Sequence, residues 1–287
     1  MNRRMRFSIL SSLFALAVTS GVAQPALPTT DAVLASAREA LQPDPTFRYY
    51  RYQQRITRRD RDTDGTVTKT SIRVYDVVPS GWGTPASRIL VEEDGAPRPE
   101  DAIAAERDRL AREWKEAAEA VARETPSERA RRERRQRLAR GEEHEAIEEA
   151  FTVVRARVTG RETVGEEPTI VVAFEPREGA STTTDIGKIL SRSEGRVWFS
   201  ARDYQLVRFD GTAIDTVLYG WGLIARVHKG TRLVLERMRV NDEVWLPREY
   251  RLTGTARLVL FRSVRFDTES SFYGYQRSEP NAITGTP

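Results

Sequence analysis

The chain has no cysteine, and only two histidines and three methionines among its 287 residues. Without cysteine there are no disulfides, no thiolate chemistry and no lipid attached through an amino-terminal cysteine, and an oxidising compartment cannot harm the chain. The histidines, His144 and His228, stand far apart in sequence, and neither belongs to a metal-spaced cluster. No Gly-x-Ser-x-Gly elbow marks a nucleophile. Long hydrophobic runs are also missing: Phe7 to Val18 is about 12 residues, against the roughly 20 that a spanning helix needs. No catalytic residue, metal or cofactor is expected from these residues.

That one short apolar run has an informative setting. Arg3, Arg4 and Arg6 precede it, and Gly21-Val22-Ala23 follows with small residues before Gln24. This is the layout of a secretory signal peptide, with cleavage predicted after Ala23. The expected mature protein is soluble, exported to the periplasm and at most peripheral to a membrane. Removing residues 1–23 takes away three arginines and no acid, so the formal charge falls from +4 to +1. The basic balance is thus partly a property of the leader, and nucleic acid is not expected as a partner.

Segments 24–97 and 151–275 are expected to form one β-rich domain, interrupted by a charged helical insertion over 98–150 and ending in a tail over 276–287. Thr30-Asp31 can cap a first helix to about Leu41, which Pro43 and Pro45 stop. Phe47 to Ile56 alternates with period two, Asp64-Gly65 signals a hairpin, and Val67 to Val78 is the returning strand. Asp60-x-Asp62-x-Asp64-Gly65 matches the first half of a calcium loop. Ser71 stands where the bidentate glutamate belongs, and the flanks are strands, so the motif reads as a polar turn.

From Arg98 to Glu149 the strand pattern vanishes. Ala102, Ile103, Leu110, Trp114, Ala117 and Val121 make a thin apolar stripe, and Pro126 breaks the segment into two helices. The second carries a basic block, Arg129 to Arg140, then an acidic one, Glu142 to Glu149. A solvated helical hairpin laced with ion pairs is the plainer reading, and an arm that docks an envelope protein or anionic lipid headgroups is the sharper one. The thin stripe leads to the expectation that the segment protrudes and is dispensable for folding.

From Phe151 onward strands return: Val154 to Val158, Thr169 to Glu175, Arg196 to Ser200, Tyr204 to Ile214, Thr231 to Val240, Val244 to Thr253 and Ala256 to Phe266. Joined by tight turns, they give an antiparallel meander. Leu258, Val259, Leu260 and Phe261 are apolar on both faces of the last strand, so something must cover its second face. The glycines of Tyr219-Gly220-Trp221-Gly222 suit a bulge or tight bend, with Trp221 available to a cavity mouth.

The stretch Gly195-Arg196-Val197-Trp198-Phe199-Ser200-Ala201-Arg202-Asp203-Tyr204-Gln205-Leu206-Val207-Arg208, followed by Asn241-Asp242-Glu243-Val244-Trp245-Leu246-Pro247, resembles periplasmic proteins of the LolA-like, outer-membrane lipoprotein-sorting-like group. The resemblance spans roughly Phe151 to Phe272 and, less closely, the first helix and strands. It implies an α+β, mainly β fold: a strongly curved antiparallel sheet, an incomplete barrel, with helices lidding its concave apolar face. The charged insertion has no obvious counterpart in that group. The resemblance and the two-faced apolar strands together suggest a non-catalytic carrier or binder of an apolar ligand or lipoprotein, with Trp198, Tyr204, Trp221, Trp245, Leu258 and Leu260 lining the cavity. An envelope interaction or sensor module docking through the charged helices is the alternative.

Overall fold

A computed structural model describes residues 26–42, 46, 49–62, 64–79, 86–219, 225–258 and 262–278. The leader, with its expected cleavage after Ala23, and the last nine residues lie outside the described residues.

In chain order the elements are α1 (Thr30–Ala40), β1 (Tyr50–Arg61), β2 (Val67–Val78), β3 (Ser87–Glu93), β4 (Ala96–Pro97), α2 (Glu100–Ala122) and α3 (Pro126–Thr152). There follow β5 (Val154–Val164), β6 (Glu167–Pro176), α4 (Asp185–Leu190), β7 (Ser193–Ser200), β8 (Leu206–Ala213), β9 (Val217–Tyr219) and β10 (Ala225–Val227). The chain closes with β11 (Arg232–Val240), β12 (Val244–Leu258) and β13 (Arg262–Arg277). Eleven strands form one sheet in the order β4-β3-β2-β1-β13-β12-β11-β8-β7-β6-β5, and β9 and β10 make a separate hairpin. The neighbouring strands pair antiparallel. The fold is α+β, mainly β, and the curved sheet is an incomplete barrel whose edges are β4 and β5.

Local chemistry sets the turns and helix ends. Asp94 and Gly95 both adopt positive φ, as do Asn241 and Asp242, which suits tight hairpins between right-twisted strands. In the β1–β2 turn Asp62 accepts from the Asp64 amide at 3.1 Å and Asp64 from the Thr66 amide at 2.7 Å. These carboxylates are spent on shaping the turn. Thr29 caps α1, and Thr125 with Glu128 forms a capping box that starts α3 just after α2 ends.

The first and last strands are neighbours in the middle of the sheet, with Ile56 opposite Ser270 and Gln54 opposite Phe272. Skipping the β9–β10 hairpin, β11 joins β8 directly. On the inner face α1 sets Val33 and Ala37, both fully buried, against Ile170, Val172 and Phe199. Tyr50 is 1% exposed and packs with Val240, Val244 and Leu246. Its hydroxyl meets Glu243 and accepts from Asn241 at 2.9 Å, fastening β1 to the β11–β12 turn.

Two sequence expectations change. Residues 256–266 are not one strand: β12 continues through Gly254 to Leu258, and a new strand begins at Arg262. Gly254 sits inside a strand opposite Phe266, whose ring its missing side chain admits. Leu258 pairs with Arg262 of β13, and Val259, Leu260 and Phe261, on which the two-faced reading rested, lie outside the described residues.

The charged segment is also more than a protrusion. It joins β4 to β5, the two edges of the sheet. At one end Ile103 and Leu110 of α2 are buried on Ile89, which pairs with Asp76 and so lies on the outer face. At the other end the last turns of α3 cover the inner face beside α1 and α4. Of the stripe read in the sequence, Ile103 and Leu110 are buried in this contact, while Ala102, Trp114, Ala117 and Val121 are half-buried.

Candidate functional site

The inner face of β7, β8, β11 and β12, roofed by the end of α1, the last turns of α3 and α4, encloses a cavity of about 590 Å³. A smaller one of about 150 Å³ continues it beneath α1, and the two share Leu41, Ala150, Phe151, Leu190, Leu206 and Phe209. Strand register builds the floor. Phe209 pairs with Leu235, Gly211 with Leu233, and Leu233 with Leu252, so all of these face the cavity. A methyl group on Gly211 would fall 2.5 Å from the Phe209 ring. Its absence lets that ring lie flat and stack on Phe174, with centroids 5.5 Å apart.

The roof is held by polar contacts outside the lining. Glu149 of α3 accepts from the amides of Thr183 and Thr184 at 2.6 and 2.8 Å and from the Thr183 hydroxyl at 2.9 Å, just before α4. Gly187 makes this approach feasible, because a Cβ there would lie 2.3 Å from the Glu149 carboxylate. Ile186, Ile189 and Leu190 of α4 then project into the cavity. Ile186, Leu233 and Leu252 are 48%, 38% and 36% exposed, which marks the mouth.

The lining is hydrocarbon apart from Ser193, Thr231 and the Gly211 backbone. Ser193 Oγ donates to the Ile189 carbonyl at 2.8 Å, so its hydroxyl is engaged. A surface of this kind can take apolar groups out of water, and its geometry favours no particular bond-making step. The histidines lie apart from one another: His144 Nδ1 hydrogen-bonds to Gln42 Oε1 at 2.7 Å, and His228 follows β10.

The residues expected to line the cavity scatter. Val197 and Phe199 face inward, so by alternation Trp198 faces outward, which corrects its expected place. Its ring lies between the guanidinium groups of Arg196 and Arg208, at 4.9 and 5.1 Å, and Nε1 donates to Glu162 at 2.7 Å. The arginine stems roof it so well that only 2% of Trp198 is exposed. Trp245 is also buried and donates through Nε1 to Asp203 at 3.0 Å, at the β7–β8 turn and away from the lining. Tyr204 adopts a positive φ of 56° and packs into the cluster under α1. Trp221 and Leu260 lie outside the described residues, as does the side chain of Leu258.

Sequence reading missed the roof. The strand pattern from Phe151 begins only at Val154, because Phe151 belongs to the last turn of α3, and no element is expected where α4 stands. Its signals were Thr184 and Asp185 as a helix start, then Ile186, Ile189 and Leu190 at helical spacing.

Carboxylates outside the cavity give the protein an acid-sensitive frame. Two hydrogen bonds from Arg232, at 2.8 and 2.6 Å, hold the Asp210 carboxyl below its ordinary value. Burial pushes Glu149 up, but the donors of Thr184 and Thr183 more than offset it, and its pKa is also lowered. A depressed carboxyl contributes stability that is present above the unfolded value, near pH 4, and is lost as pH falls through the folded one. The melting temperature should therefore fall below about pH 4. Glu149→Gln and Asp210→Asn should each flatten that fall; a profile unchanged in both variants would remove these groups from the frame.

No family model matches the chain, and no curated protein matches it. Among solved structures it is similar to a domain assigned to outer membrane lipoprotein sorting in Vibrio parahaemolyticus, at 10% identity, covering 88% of this chain and 97% of that one with a TM-score of 0.37. A DUF1329 family protein from Desulfovibrio piger matches at 9% identity over 91% and 99% of the two chains, with a TM-score of 0.32. A LolA superfamily protein from Nitrosomonas europaea matches at 7% identity over 88% and 95%, with a TM-score of 0.30.

Proposed function

We propose that the protein is a non-catalytic carrier or binder of an apolar envelope component, an acyl chain or the lipid part of a lipoprotein, working in the periplasm after its leader is removed. The observation that carries this reading is the hydrocarbon cavity of about 590 Å³, open at Ile186, Leu233 and Leu252. Its size falls within the usual range for ligand pockets. Each methylene moved from water into such a site gains about 0.8 kcal/mol, so a dozen give a gross gain of about 10 kcal/mol before ordering costs.

The test is titration with a fluorescent long-chain fatty-acid analogue. The wild type should take it up, and Leu233→Glu and Leu252→Glu should each weaken uptake tenfold or more, because a carboxylate at the mouth must be desolvated when the chain enters. Both positions are more than a third exposed, so the fold should tolerate the change. A folded wild type that takes up nothing, or uptake indifferent to both charges, would sink the reading.

A further inference from the structure

The first half of α3 carries seven arginines between Arg129 and Arg140, against a single acid, Glu133. Arg132 is bound by Glu124 at 2.8 Å, and Arg137 approaches Glu133 at 3.9 Å. Arg131, Arg134 and Arg135 are exposed and have no ion pair among the described residues. Arginines of the sheet behave differently: Arg208, Arg232, Arg239 and Arg251 each meet a carboxylate.

Helical spacing puts Arg131, Arg134, Arg135 and Leu138 on one face, opposite the half-buried Arg132 and Gln136. Leu138 is 57% exposed, among the most exposed large apolar side chains described. Like charges at i,i+3 and i,i+4 repel and weaken a helix. Nothing described within the chain relieves that repulsion, whereas an external array of anions would. The face lies apart from the cavity, since Leu138 precedes Ala146, the first lining residue of α3, by about 12 Å of helix.

We propose that Arg131, Arg134 and Arg135, with Leu138 among them, form a docking face for an anionic phospholipid surface. Clustered guanidiniums complement a sheet of phosphates, and an exposed leucine suits the headgroup–acyl boundary more than it suits a nucleic acid groove. One leucine is too little for insertion, so the contact is electrostatic and reversible. Docking is independent of whether the cavity takes an acyl chain.

The experiment is flotation of the full chain with phosphatidylcholine vesicles and with vesicles containing phosphatidylglycerol. Binding is expected only to the second, and it should fall several-fold as salt is raised. Each guanidinium near an anionic leaflet is worth about fivefold in affinity, so Arg131→Gln/Arg134→Gln/Arg135→Gln should bind about a hundredfold more weakly with an unchanged thermal transition. Removing the same number of charges by Arg59→Gln, Arg73→Gln and Arg251→Gln, which are paired on the sheet, should change binding by no more than about twofold. Failure of folded wild type to bind, equal binding to neutral vesicles, equal loss in the two triple variants, or preference for duplex DNA over the vesicles would each overturn the proposal.

Discussion

Phe199→Ala is expected to lower the free energy of unfolding by about 3–5 kcal/mol, the usual cost of emptying a buried aromatic site. Phe199 is 4% exposed and packs with Val33, Ala37, Ile170 and Val172, the cluster that holds α1 to the inner face. The ring also lines the smaller cavity, so its loss enlarges an existing apolar space. Saturating apolar ligand should then restore part of the lost stability by mass action. Urea unfolding followed by far-UV circular dichroism measures both effects. Leu138→Ala, at an exposed position, should stay within about 0.5 kcal/mol of wild type. A cost below about 1 kcal/mol for Phe199→Ala would mean that α1 is held by other contacts.

Replacing residues 98–149 with a short Gly/Ser linker is expected to abolish the cooperative transition, the opposite of what the thin apolar stripe suggested. The segment runs from the outer face at the β3–β4 edge to the inner face at the β5 edge, so a short linker has both a distance and a change of face to cover. The replacement removes Ile103 and Leu110 from Ile89, Ala146 and Ile147 from the cavity roof, and Glu149 from Thr183 and Thr184. A gentler form of the same test is Ile103→Ser with Leu110→Ser, which should cost about 4 kcal/mol together. Calorimetry decides between the two views. A sharp single transition in the linker variant would restore the picture of a dispensable arm.

Much of this fold was legible locally. The β2 strand falls at Val67–Val78 as its alternation indicates, and α1 begins at Thr30, one residue from expectation, because Thr29 and not the Thr30-Asp31 pair is its cap. Asp94-Gly95 and Asn241-Asp242 turn with the positive φ angles that such pairs readily accept. The break between α2 and α3 at Pro126 follows from the capping box around it. Each of these features is decided by neighbours within a few residues, and a sequence displays such neighbours directly.

The candidate site was much less legible. The resemblance and the two-faced apolar strands put Trp198 at the cavity, yet two arginines and Glu162 bury it on the outer face. Gly254 falls between two expected strands, Val244 to Thr253 and Ala256 to Phe266, yet it lies inside β12, where it makes room for Phe266, and the next strand begins only at Arg262.

By itself the sequence determined most of the longer elements, several turns and the division of each strand into two faces, because those rest on periodicity and on the backbone preferences of single residues. Tertiary structure alone decided which face turns inward, since a period of two defines two sides without naming them and a one-residue slip exchanges them. It also decided that β1 lies beside β13 and β8 beside β11, pairings between segments distant in sequence that no local pattern encodes. The cavity is the sum of those decisions. Its lining comes from the C-cap of α1 and from α3, α4, β7, β8, β10, β11 and β12, and residues as distant as Leu41 and Leu252 meet only because the sheet curves and the helices cross its inner face.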